Sequence, residues 1–165
     1  MRKFTEGVTK ILSFVLIVLM ALIVIDVTWQ VFTRFVLRTP SGFTEELAGF
    51  LLIWIGLLGA SYTYCKKAHL GIDTVVAKFS GRRKVAAEVG VAAMVFFFAL
   101  FIMVIGGARL LTITFTLRQI SPAMKIPMGY IYSVLPISGL LFMYYSVAAM
   151  FETVTQAQSS EMVDG

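Results

Sequence analysis

Glu45 and Glu46 stand side by side, and adjacent carboxylates are an arrangement that general acid and base catalysis can use. Such work needs an enclosed site with further polar groups, and the flanking sequence offers none, so dipole compensation at a helix start and salt bridges to Arg34 and Arg38 explain the pair better. His69, the only histidine, and Asp73 follow an apolar run; one histidine without a cysteine or acidic cluster makes a poor metal site. It reads first as a hydrogen-bonded structural residue. Cys65 is the only cysteine, which excludes an intrachain disulfide and a thiol-pair redox reaction. Asp26 is the carboxylate set deepest in an apolar segment, a position that suits either proton or cation exchange or a clamp on a neighbouring helix. No histidine pair for haem and no nucleotide motif is present, so neither an enzyme nor a cofactor is expected.

The segments that carry these residues are membrane helices. At 59% hydrophobic and 14% charged, with mean hydropathy +0.89, the chain departs far from the about 45–50% apolar and about 25% charged of a soluble domain. Its 165 residues fit a single all-α domain, 1–165, of four spans at about 11–35, 47–64, 85–107 and 128–151. The first apolar run has basic residues before it and no small-residue cleavage site within it, so it is expected to be a retained helix. The net charge of +5 comes from Lys and Arg beside apolar spans, where they orient the chain and meet anionic lipid headgroups; nucleic-acid binding is not expected.

Taken in order, Asp26, Gln30 and Thr33 share one helical face of the first span, a polar stripe expected to face protein. Pro40, Ser41 and Gly42 break the chain, and Thr44 is expected to cap the second span. Gly49, Gly56, Gly59 and Ala60 give that span small faces for a close backbone neighbour, with Gly56 and Ala60 four apart. Trp54 stands mid-span, where its indole N–H needs a protein partner or a subunit contact. In the basic loop that follows, Ile72, Val75, Val76 and Phe79 recur at i, i+3, i+4 and i+7, which predicts a short amphipathic interfacial helix over about 72–80. Glu88 is placed to pair with Lys84, and Gly106 with Gly107 offers a bend. Residues 108–117 are too short to span again, which leaves a tilted continuation of the third span or a second interfacial piece. Pro127 suits the first position of the fourth span, Pro136 should kink it, and its tyrosines should mark the two interfaces. Nine basic residues on the side of the termini against five opposite place both termini in the cytoplasm.

Several blocks resemble the small membrane subunit of TRAP transporters, the tripartite ATP-independent periplasmic importers of organic acids. They are Arg34 and Phe35; Glu45, Glu46, Leu47 and Ala48; Trp54, Gly59 and Ala60; and His69, Leu70, Ile72 and Asp73. A further block runs from Ser121, Pro122 and Ala123 to Ile126, Pro127 and Met128, followed by Pro136, with Lys125 departing from the family pattern. The resemblance implies a subunit of a bacterial inner-membrane complex. Its partners would be a large multi-span membrane subunit carrying the substrate and sodium sites, and a periplasmic substrate-binding protein. The substrate would be a C4-dicarboxylate, sialic acid or a similar acid. On this reading Asp26, Arg34, Glu45, Glu46, Trp54, Gly59, His69 and Asp73 are partner contacts or structural braces. Two other classes stay open at this level: a small proton-coupled multidrug exporter using Asp26, and a membrane anchor of a respiratory enzyme.

Overall fold

The structure, a computed structural model, describes residues 2–39, 41–66 and 82–163. His69, Asp73 and the interfacial helix expected over 72–80 lie outside the described residues. The chain forms α1 (Arg2–Phe35), α2 (Gly42–Cys65), α3 (Arg82–Phe98), a π-helical segment (Ala99–Gly106), α4 (Gly107–Thr116), α5 (Met128–Tyr132) and α6 (Val134–Val163). Within these lie four apolar stretches long enough to cross a membrane: Thr5–Phe35, Gly42–Cys65, Lys84–Thr116 and Met128–Thr155.

The helices pack in the order span one, span two, span four, span three. Span one leans on span two, and most of its large apolar side chains, from Ile11 to Phe35, remain exposed. In water such a face would drive aggregation; in lipid it is solvated by acyl chains. Spans two and four hold the centre, where Leu58, Val134 and Tyr145 are buried, and Leu12 of span one joins them.

Span three differs from its expected limits. Helix continues through Gly106 and Gly107, both with ordinary helical torsions, so of the two alternatives for residues 108–116 the structure has the continuation of the span, not a second interfacial piece. The resulting 33-residue helix is about 50 Å long at 1.5 Å per residue, well over the roughly 30 Å of a hydrocarbon core. Its π-helical segment brings Met103 and Val104 against Gly139 of span four, where even a methyl group would stand 2.8 Å from Met103 Cβ. The close backbone approach therefore occurs at Gly139. At Gly49 and Gly56, which composition had singled out, nothing lies within 4 Å of an added Cβ, and at Gly59 the neighbour is Leu16 at an ordinary 3.9 Å.

Span four breaks at Ser133, between α5 and α6. Pro136 has no N–H to return to the carbonyl of Tyr132, four residues earlier, and its ring crowds that turn. At the end of α4, Arg118 N–H donates to Phe115 O at 3.1 Å and Gln119 N–H to Thr114 O at 3.1 Å, the paired bonds of a Schellman stop. Arg118 takes the left-handed position there, with φ 48°, that glycine usually fills. A tight loop follows, closed by Ser121 N–H to Ile126 O at 2.9 Å and Met128 N–H to Gln119 O at 2.9 Å, with Lys125 at φ 55°.

Candidate functional site

The helix start at α2 sets the first element of the site. Ser41 is the N-cap, in extended torsions, so the helix begins at Gly42 and Thr44 falls inside the first turn. The cap thus falls three residues before the expected Thr44, and the Thr44 hydroxyl donates to Ser41 O at 3.0 Å. This shift turns Glu46 toward the loop before span four. Its Oε2 accepts the Ser121 hydroxyl and the backbone N–H groups of Ala123 at 3.1 Å and Met124 at 2.8 Å. Ser121 Oγ in turn accepts Met124 N–H at 3.2 Å. The carboxylate is held by successive backbone dipoles, as anions are in amide nests, and not by the Arg34 or Arg38 pairing expected from charge alone. Arg34 and Glu45 are exposed to the surroundings.

Below this clamp, spans two and four are joined at regular intervals. Trp54 Nε1 donates to Ile131 O at 3.1 Å, and the Ser61 hydroxyl is shared between Leu57 O of its own helix at 3.1 Å and Ser138 O at 3.4 Å. Each interhelical pair is 77 residues apart in sequence, as are Glu46 and Ala123. A constant offset means that the two helices run parallel and in register, with Trp54 and Ser61 two turns apart on one face. Glu46, Trp54 and Ser61 therefore form one seam, which answers the question of the indole's partner within the chain.

The seam continues to the end that carries the termini. Tyr64 donates to Ser146 Oγ at 3.3 Å, and the Ser146 hydroxyl donates to Ala92 O, tying span three in. Glu88 accepts Thr153 Oγ1–H at 3.1 Å, a bond across helices in place of the expected one to Lys84. Span one joins through Thr9, whose Oγ1 lies 3.2 Å from Tyr145 Oη and 3.2 Å from Cys65 Sγ, and through Thr5, 2.9 Å from Tyr144 Oη. Tyr145 is buried, so it belongs to this network and not to an interfacial belt.

Asp26 and Thr33 of the polar stripe are buried, Gln30 partly so. Thr33 Oγ1 donates to Gln30 O at 2.9 Å. Asp26 differs from every other group in the site: its Oδ2 is the one buried side-chain oxygen or nitrogen without a hydrogen-bond partner among the described residues. Reading the sequence missed Ser138 and Ser146 and assigned no hydrogen bond to Ser61 or Ser121. The signal available was the pair Ser138 and Ser146, small hydroxyl residues eight apart on the inner face of span four.

Residues 23–156 match the family described as tripartite ATP-independent periplasmic transporters, DctQ component. This chain belongs to that family. It is similar to the putative TRAP transporter small permease protein of Haemophilus influenzae, 22% identical over 93% of this chain and 94% of the relative. It is also similar to the sialic acid TRAP transporter small permease protein SiaQ of Vibrio cholerae, 32% identical over 72 residues. That second alignment covers 44% of this chain and 40% of the Vibrio protein's length. The DctQ-family chain is accordingly a multi-pass inner-membrane subunit of a transporter. Family membership implies a large permease subunit and a periplasmic binding protein beside it.

Proposed function

We propose that this chain is the scaffold subunit of a sodium-coupled importer of an organic acid, with the substrate and sodium sites in the large membrane subunit. A C4-dicarboxylate or sialic acid fits the family. The seam between spans two and four supports the reading most directly. Glu46, Trp54 and Ser61 are each hydrogen-bonded within the chain, which holds two parallel helices in register and commits Glu46 Oε2 and the Trp54 N–H internally. Polar groups used this way make a stiff frame. The exposed apolar faces of spans one and three then offer surface to lipid and to a partner helix bundle. The distribution of Lys and Arg favours both termini in the cytoplasm, which puts the Glu46 clamp at the periplasmic face.

Reconstitution tests the assignment. The large subunit, the binding protein and this chain, placed together in proteoliposomes under an inward sodium gradient, should take up labelled sialic acid or a C4-dicarboxylate. Leaving out this chain should abolish uptake. Uptake by this chain alone, or undiminished uptake without it, would sink the scaffold role.

A further inference from the structure

Asp26 lies where span one passes the start of α2, beside a cavity of about 340 Å³. The residue is 7% exposed and its Oδ2 accepts no hydrogen bond among the described residues. Leaving a carboxylate dry and unpaired at this depth is costly, because neither water nor a fixed dipole replaces its hydration. Of the two hydroxyl residues that line the same cavity, Ser41 and Thr44, the Thr44 proton goes to Ser41 O at 3.0 Å. Trp29 and Phe43 form aromatic walls, each about half exposed, and Leu22 and Leu51 extend the apolar lining along the two helices.

A carboxylate at the side of a cavity with two aromatic walls selects an organic cation. Attraction to the ring faces adds to the charge pairing with the carboxylate. A hard metal ion is a poor match, since such ions need six or more oxygen ligands and the cavity supplies one carboxylate and two hydroxyl residues. We infer that this cavity is a socket for one cationic side chain, arginine or lysine, of the large membrane subunit. A buried cation on that subunit would need a counter-ion as much as Asp26 does, and truncating either member leaves the other unpaired. The inference rests on the proposed role of the chain as one subunit of a larger assembly.

The test compares the chain alone with the co-expressed complex, using Asp26→Asn and Asp26→Arg. Purified alone, Asp26→Asn should melt at or above the wild-type temperature, because it removes an uncompensated charge. Co-expressed, it should lower recovery of the large subunit with the tagged chain at least tenfold. Asp26→Arg should lose recovery too, and exchange of one Arg or Lys of the large subunit for Asp should restore it. An Asp26→Asn chain that melts lower on its own by the same margin would assign the carboxylate an internal role and overturn the socket. Unchanged recovery would overturn it as well. So would recovery regained by adding phosphatidylethanolamine during purification, which would make a lipid amine the occupant. If the wild-type chain itself recovers no large subunit, the proposed function fails and the socket with it.

Discussion

Replacing Gly139 with alanine adds one methyl group at a close backbone crossing of spans three and four. Its Cβ would stand 2.8 Å from Met103 Cβ, 2.9 Å from Val104 Cγ2 and 3.2 Å from the Val104 nitrogen. Two of those atoms move only with the backbone, so a rotamer change does not clear the clash. The helices must separate by roughly 0.6 Å to bring the closest pair from 2.8 to 3.4 Å. Overpacking of this kind costs about 1–3 kcal/mol, while alanine gains about 1 kcal/mol over glycine in helix propensity. The balance is a net loss of about 1 kcal/mol, the difference of those two central values. Gly56→Ala is the matched control, since an added Cβ there meets nothing within 4 Å and keeps the propensity gain. Thermal unfolding of each variant in detergent, followed by tryptophan fluorescence, should show Gly139→Ala melting below the wild type and Gly56→Ala at or above it. A Gly139→Ala chain as stable as the wild type would refute the close crossing at the π-helical segment.

Trp54→Phe keeps the ring and removes the bond to Ile131 O, and should lower stability by about 0.5–1.5 kcal/mol in denaturant or thermal titration. Hydrogen exchange at the Ala123 and Met124 amides should quicken strongly in Glu46→Ala and less in Glu46→Gln, which retains one acceptor oxygen; equal protection in all three chains would remove the clamp. Lys125→Gly should raise the melting temperature, because glycine occupies φ 55° without the Cβ penalty of about 1 kcal/mol; a fall would mean that the lysine side chain holds the loop.

The four spans were legible because burying or solvating long apolar runs leaves a helix little choice in a membrane. Span boundaries were less so. Residues 108–117 are too short to span again by themselves, yet helix propagates through Gly106 and Gly107, the latter packed against Leu135 and Pro136 of span four. Thr44 had the chemistry of a cap, but Ser41 was reached first after the break and took that place. Charge pairing suggested Arg34 or Arg38 for Glu46; the actual partners are the Ser121 hydroxyl and two backbone amides 75 to 78 residues away. Backbone donors carry no signature in the sequence, so that pairing could not be read from residue types. The seam had a faint trace in the spacing of Ser138 and Ser146, and it required the parallel register of spans two and four to acquire meaning. Asp26 was visible from depth alone, and the structure added that it has no internal partner for Oδ2.

The central claim is that this chain stays rigid while transport chemistry proceeds in its partner. Spin labels at two exposed positions, introduced as Ile17→Cys in span one and Met94→Cys in span three in a Cys65→Ser background, report on it within the assembled complex. Their distance distribution should be the same with and without sodium and substrate, while a pair bridging this chain and the large subunit shifts. A shift of several ångströms between the two labels on this chain, coupled to substrate, would contradict the account.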